Sequence, residues 1–281
     1  MAFLDMMNPD TGFISPLASQ AVGKDLAEGY GAAYPFPHTV IDNFLPDSLA
    51  QHLLSAFGAV NDDNDLNIRF DRAQERLKTS YHPDNLRDWA RAVFYAFNSR
   101  PFIQVIENIT GISGLIADPH FAGAGYHEIR NGGHLSVHAD FNHHKELNLE
   151  RRVNVLIYLN PDWQEDFGGQ LELWEPQMKR LGRSVTPEFN RCVIFNTAST
   201  SMHGNPQPVN HPEGVARRSI ALYYYTATWD GTKRAHTTQF KSRPGSSDTI
   251  DWRVRLTELG KDLLPPLVAR SVARIRGTRQ F

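Results

Sequence analysis

The chain holds a single cysteine, Cys192, among 281 residues. No internal disulfide can form, and zinc sites built from several thiolates are excluded. One cysteine in a chain this long fits a reducing compartment. Long apolar runs are missing too. No segment approaches the roughly 18 uninterrupted apolar residues needed to span a bilayer. The N-terminal "MAFLDMMNPDTGF" lacks the basic stretch and apolar run of a secretory signal. The expectation is a cytoplasmic protein with no membrane partner. Nor is there an excess of one charge: the formal net charge is −2, with acids and bases interspersed. No general nucleic-acid footprint follows from that balance. The one basic cluster, Arg270, Arg274, Arg276 and Arg279, reads as a solvated helix face near the end of the chain. Internal repeats and low-complexity tracts are also absent.

What is present is enough to build a substantial core, since 41% of the residues are hydrophobic. Residues 1–33 are mixed in character, rich in Gly, Ala and Ser, and read as a loosely packed arm. "PFPHTVIDNFL" then reads as a strand, and "PDSLAQHLLSAFGA" as a helix with Pro46 near its start. In "PDNLRDWARAVFYAFNS", Leu86, Trp89, Ala90, Val93 and Phe94 recur at helical spacing. "PFIQVIENITGISG" reads as a further helix ended by Gly111. After about residue 120 the period drops to two, in short stretches divided by Gly, Pro and Asn turns. Such a pattern predicts a sandwich or barrel. The expected organisation is one domain over 34–281, with helical support at 46–115, a β-core at 120–228 and C-terminal helices at 250–276.

The stretch "GGHLSVHADFNHH", residues 132–144, concentrates four histidines and an aspartate. A His-x-Asp alone means little, because 12 His and 19 Asp in this length supply about one by chance. Placement decides. Side chains at i and i+2 of a strand point to the same face. In "LSVHADF" the apolar Leu135, Val137, Ala139 and Phe141 alternate with Ser136, His138 and Asp140, so His138 and Asp140 offer two ligands to one metal. The rivals sit worse. His82-Pro83-Asp84 precedes a helix, where Asp84 reads as an N-cap. His143, His144 and Glu146 belong to a polar loop read as solvated, and His211-Pro212-Glu213 to a Pro/Gly turn. His134, beside two glycines, reads as an entrance residue or a local hydrogen bonder.

Two ligands make a weak site, and a 2-His-1-carboxylate triad would suit non-haem Fe(II). His203 in "STSMHGNPQPV" is a candidate third, although alone it is an ordinary loop histidine. Downstream comes "RRSIALYYYT". An arginine opening an apolar strand is costly to bury without an anion. Either Arg217 and Arg218 sit at an exposed strand end, or one points inward to a carboxylate. In "RRVNVLIYLNPDW" one face carries Val153, Val155, Ile157 and Leu159, the other Arg152, Asn154, Leu156 and Tyr158. That second face is polar enough for a ligand pocket.

Taken in order, "YHEIRNGGHLSVHADF", "RRVNVLIYLNPDW", "FGGQLELWE", "RCVIFN", "MHGNPQPV" and "RRSIALYYYT" resemble the Fe(II)/2-oxoglutarate-dependent dioxygenases, most closely their prolyl-hydroxylase-like branch. The resemblance covers about residues 120–228. It implies an α+β protein with a double-stranded β-helix, a cupin-like jelly roll, flanked by N- and C-terminal helices. It also implies His138, Asp140 and His203 as iron ligands, and Arg218 and Tyr158 as contacts to the C5 carboxylate of 2-oxoglutarate. Tyr126 matches, more loosely, a tyrosine near the iron. Two departures stand out. Leu135 replaces a tyrosine common three residues before the first ligand, and "NHPEG" lengthens the interval between His203 and Arg218.

The activity so implied is hydroxylation of an unactivated C–H, coupled to conversion of 2-oxoglutarate and O₂ to succinate and CO₂. Asp140 favours hydroxylation over halogenation, since the related halogenases carry a small residue there. Without a conspicuous peptide-docking segment, the expected substrate is a small molecule, such as an amino acid or biosynthetic intermediate. The alternatives are a peptide or protein prolyl hydroxylase and a non-catalytic jelly-roll metal-binding or sensory protein. The sequence is silent on oligomeric state.

Overall fold

A computed structural model describes residues 1–57, 66–230, 232–246 and 248. The expected C-terminal helices and their arginine cluster lie outside the described residues. Four α-helices occur among the described residues: α1 (Ala27–Ala32), α2 (Asp47–Ala56), α3 (Asp88–Ala96) and α4 (Arg100–Thr110). Pro46 stands directly before α2, and α4 stops at Gly111, as their sequences predict. α3 starts later than expected, because Leu86 is extended and breaks the helical run. Asp84 is not its cap. It sits in a short 3-10 turn, where the Asp84 amide donates to His82 Nδ1.

The strands are β1 (His38–Ile41), β2 (Ile68–Arg72), β3 (Glu75–Tyr81), β4 (Ile116–Ala117), β5 (Gly125–Ala139), β6 (His143–His144) and β7 (Leu149–Tyr158). They continue as β8 (Leu171–Trp174), β9 (Leu181–Val185), β10 (Arg191–Asn196), β11 (Met202–Asn205), β12 (Arg217–Thr226) and β13 (Gln239–Phe240). The hydrogen-bonded order is β1-β10-β7-β12-β5-β11-β8-β9. β5 makes this path two layers. Its first half, from Gly125 to Ile129, pairs with β12, and its second half, around Leu135 to His138, pairs with β11. Between the halves Gly132 has φ +80°, and a Cβ on Gly133 would lie 2.7 Å from the Arg76 carbonyl. Only glycine fits that bend. The result is a double-stranded β-helix, as the resemblance implies.

The two faces of the first layer have different work. Val153, Val155 and Ile157 of β7 and Ile220, Leu222 and Tyr224 of β12 face the helices, packing with Leu49, Phe94, Phe102 and Val105. Each such fully buried side chain contributes roughly 1.5–3 kcal/mol. Tyr158, Val193 and Phe195 face the opposite layer, against Leu171 and Leu173. The strict alternation of β7 is therefore the division between scaffold and site.

Two segments depart from the sequence reading. The N-terminal arm is not loosely packed: Leu4, Met7, Ile14 and Tyr30 are buried in the helix-side core. Inside the expected helical support, β2 and β3 form a hairpin that adds to β5. No helix among the described residues is long and apolar enough to cross a membrane.

Candidate metal and cosubstrate site

β5 ends at Ala139, so His138 and Asp140 leave the same face of its last turn of pleat, as alternation predicts. β11 places His203 directly opposite His138. The two imidazole centroids are 4.5 Å apart. Asp140 lies between the rings, with Oδ1 3.4 Å from His138 Nε2 and Oδ2 3.3 Å from His203 Nε2. All three ligand atoms fall within 4.8 Å of one another. Each imidazole donates its Nδ1–H to a carbonyl two residues back, His138 to Ser136 and His203 to Ser201, both at 2.9 Å. These bonds fix the tautomer and leave both Nε2 lone pairs aimed at the shared space.

The charges suit a cation. Burial alone would raise the Asp140 carboxyl, but Arg151 and the two histidines outweigh it and hold the group well below the usual carboxylate range. Burial pushes His203 down, against the pull of Asp140. Asp140 thus tends toward the carboxylate and His203 toward the neutral imidazole, the protonation states a metal needs of these two ligands. Two imidazole nitrogens and one carboxylate oxygen within 4.8 Å of one another are the donor set that fits Fe(II).

Behind Asp140 stands a support that sequence reading missed. Asn154 Nδ2 donates to Asp140 Oδ2 at 2.7 Å, and Arg151 Nη2 lies 3.0 Å from the same oxygen. Arg151 also donates from Nε and Nη2 to Asn154 Oδ1, at 3.1 and 2.7 Å. Its guanidinium lies over the rings of Tyr223 and Phe141, at 3.6 and 4.4 Å. Alternation alone puts Arg151 with Val153, away from the site. Consecutive Tyr224 and Tyr225 of β12 pair with Val153 and Arg151, so Arg152 is an extra residue in β7 and this bulge breaks the alternation. Asn154 was visible in the polar face of β7; Arg151 carried no such signal.

Farther along β7 and β12, Arg217 is buried beside Tyr158. Its Nε donates to the Gly169 carbonyl at 2.7 Å and its Nη2 to the Tyr158 hydroxyl at 3.3 Å. Among the described residues no carboxylate lies within ion-pair distance of Arg217. Burial lowers its pKa, opposed by Tyr158. A buried guanidinium without an anion is costly, which suits Arg217 to an anionic ligand.

Here the structure differs from the expectation for Arg218. Ser219 pairs with Tyr158 across the sheet, so Arg217 and Ser219 share Tyr158's inner face. Arg218 shares the helix side with Ile220 and Leu222, where its Nε donates to Glu128 Oε2 at 3.1 Å. The inward register begins one residue earlier than the apolar run suggests. Tyr126 also points away from the triad. It pairs with Ile220 and packs on Phe57 and Phe94 with ring centroids 4.9 and 5.9 Å apart. Its hydroxyl has no hydrogen-bond partner.

The other histidines stay apart from the triad, which is the one such metal-capable group among the described residues. His144 is not solvated but buried, with Nε2 3.3 Å from Asp118 Oδ1. His143 stacks on Trp229, His211 packs edge-on to Phe167, and His134 Nε2 lies 3.2 Å from the Ala73 carbonyl.

Residues 124–225 match the family model of the 2OG-Fe(II) oxygenase superfamily. The prolyl 3-hydroxylase OGFOD1 of Mus musculus is 24% identical over 220 residues, which are 75% of this chain and 35% of that protein. The chain thus spans about a third of the length of the curated relatives it matches. A prolyl hydroxylase from Trichoplax adhaerens, solved with a hypoxia inducible factor oxygen degradation domain peptide fragment, superposes with a TM-score of 0.53. It is 20% identical, over 78% of this chain and 95% of that one. A prolyl 4-hydroxylase of Phytophthora capsici gives a TM-score of 0.51 at 18% identity, over 87% and 75% of the two chains. Both share the jelly-roll fold. Residues 124–225 thus match the 2OG-Fe(II) oxygenase superfamily, and the fold that carries them is the jelly roll of these hydroxylases.

Proposed function

We propose that this chain is an Fe(II)- and 2-oxoglutarate-dependent dioxygenase that hydroxylates a prolyl residue of a peptide or protein, with His138, Asp140 and His203 as the Fe(II) ligands. The observation that carries the reading is the triad together with a buried Arg217 that has no carboxylate at ion-pair distance among the described residues. The prolyl class comes from the relatives' own names. When bound, Fe(II) supplies the O₂ activation that couples 2-oxoglutarate decarboxylation to oxidation of a C–H bond. The chain's residues do the rest. Arg217 and Tyr158 hold the C5 carboxylate, the guanidinium by two parallel N–H donors. Asn154 and Arg151 keep the Asp140 carboxylate ionised and fixed, so the third ligand does not swing. Phe195, with its ring 4.7 Å from His203, keeps water from one side of the ligand.

A small-molecule substrate is the second reading. An open basin of about 710 Å³ lies beside Arg151, behind Asp140, and has the size of pockets that take small ligands. The test supplies Fe(II), O₂ and 2-oxoglutarate with proline-containing peptides in one arm and a metabolite extract in the other. Succinate formation with a gain of one oxygen on a peptide proline supports the first reading. The same gain in the extract alone replaces it with the second.

A further inference from the structure

The two imidazoles of the triad stand in a row of rings. Centroid to centroid, Phe195 lies 4.7 Å from His203, His203 4.5 Å from His138, and His138 5.4 Å from Phe240. The two ends of the row differ. Phe195 is fully buried and packs in one cluster with Tyr158, the partner of Arg217, so the proposed anchor for 2-oxoglutarate lies at that end. Phe240, at the other end, is only half-buried. It belongs to β13, where it pairs with His138 across the sheet, so its side chain leaves on the face of His138. The amide of the next residue, Lys241, donates to the Val137 carbonyl at 2.9 Å and fixes that register.

Beyond Phe240 the wall continues on the β2–β3 hairpin. The Arg72 guanidinium lies 5.8 Å from the Phe240 ring and 5.8 Å from the Phe70 ring. Its charge is already answered, because Nη2 is 2.8 Å from Glu75 Oε2. Lys78 is held by the same carboxylate at 2.9 Å. Both cations are therefore engaged, and what this rim offers a newcomer is ring surface.

A half-buried aromatic ring against a metal ligand, at the end away from the cosubstrate, suits the ring of a proline. Proline-bearing segments dock in aromatic-lined grooves because they are pre-ordered and lose little entropy on binding. A hydroxyl or carboxylate laid on the Phe240 ring would give up water and gain no hydrogen bond from it. We infer that Phe240 is a specificity-determining residue, and that the target prolyl ring rests against it. This depends on the function proposed above and adds the residue that recognises the ring.

The experiment compares the parent with Phe240→Leu and Phe240→Ala, each supplied with Fe(II), 2-oxoglutarate and O₂. The probe is a synthetic pool of short peptides with proline fixed at the centre and every other position randomised. A twin pool carries the six-membered homologue, pipecolic acid, in place of proline. Oxygen gained by each pool is read by mass spectrometry. The parent should oxidise the proline pool in preference to its twin. Phe240→Ala should raise the proline-pool concentration needed for half-maximal oxidation on the order of tenfold or more, because a ring-sized apolar contact is lost. Its preference for the five-membered ring should shrink as well. Phe240→Leu keeps most of the volume, should fall between the two, and carries the test if the alanine variant fails to fold. Iron stoichiometry, and 2-oxoglutarate affinity by anaerobic calorimetry, should stay at the parent's values in both variants. Proline oxidation and ring preference equal to the parent's overturn the inference and leave the hydroxylase reading standing. So does a loss that runs in step with iron or 2-oxoglutarate binding, since the ring would then only shield His138. A parent that oxidises neither pool removes the prolyl reading and this inference with it.

Discussion

Arg217 and Arg218 are neighbours in sequence, yet the first is sealed in beside Tyr158 and the second pairs with Glu128 with 30% of its side chain exposed. The same split runs through the whole of β12. On its inner face stand Arg217, Ser219 and Tyr223; on its outer face Ile220, Leu222 and Tyr224 join the helices. A strand with this pattern is two surfaces with separate tasks. Changes on the inner face should alter ligand binding, and changes on the outer face should alter stability. That division should break first where it is strongest.

The largest effect belongs to the triad on the inner side. His138→Ala or His203→Ala should abolish turnover and stoichiometric Fe(II) binding together, with the metal measured by atomic absorption on the purified protein. His82→Ala, His143→Ala and His211→Ala should keep the metal. Iron retained at full stoichiometry in either triad variant would falsify the assignment.

Next comes the arginine pair. Arg217→Ala removes one partner of a buried charge pair, a loss of typically 2–5 kcal/mol. At tenfold per 1.4 kcal/mol that is roughly a 30- to 4000-fold rise in the 2-oxoglutarate requirement. Arg218→Ala should leave that requirement nearly unchanged and cost at most ~1 kcal/mol of stability, as a partly exposed ion pair does. Cosubstrate titration of both variants decides. A steeper rise in Arg218→Ala would mean that the inner and outer faces are exchanged.

This pair also marks how far the sequence could be read. Alternation was enough to place His138 with Asp140, and to separate Val153, Val155 and Ile157 from Asn154 and Tyr158. It failed where a strand's start had to be fixed by a motif, so that Arg218 was chosen over Arg217. It failed again at Arg151, because a bulge at the neighbouring Arg152 re-aims the side chain, and no Gly or Pro in this stretch of β7 signals it. The β2–β3 hairpin was missed for another reason. β2 is exposed along most of its length, so no apolar alternation reports it. The N-terminal arm buries single anchors, Leu4, Met7 and Ile14, from turns and a lone bridge rather than from a helix or strand with a readable period.

A smaller effect should follow Tyr158→Phe. The ring stays and only the hydroxyl that accepts from Arg217 is lost. A single hydrogen bond contributes about 0.5–1.5 kcal/mol, rising to about 3 when one partner is charged. The 2-oxoglutarate requirement should rise roughly tenfold, well short of Arg217→Ala, with kcat little changed. A loss as large as that of Arg217→Ala would show that the hydroxyl orients the guanidinium as well as touching it.

The smallest expected effect tests the outer face through a residue the sequence assigned to the inner one. Tyr126 is fully buried between Phe57 and Phe94, and its hydroxyl has no hydrogen-bond partner. Burial of that unpaired group is strong enough to push its phenol well above the ordinary tyrosine value. A buried hydroxyl without a partner costs roughly 1–3 kcal/mol of desolvation by mutational measures. Tyr126→Phe deletes the oxygen and keeps the ring, leaving a cavity smaller than a methyl group. The desolvation relief should outweigh the lost contacts, so the variant should be as stable as the parent or up to ~1 kcal/mol more stable. Its 2-oxoglutarate and Fe(II) requirements should not move, because the side chain points away from both. Urea denaturation and cosubstrate titration on the same preparation read the two quantities. A raised 2-oxoglutarate requirement at unchanged stability would put the tyrosine back on the inner face and undo the division drawn from β12.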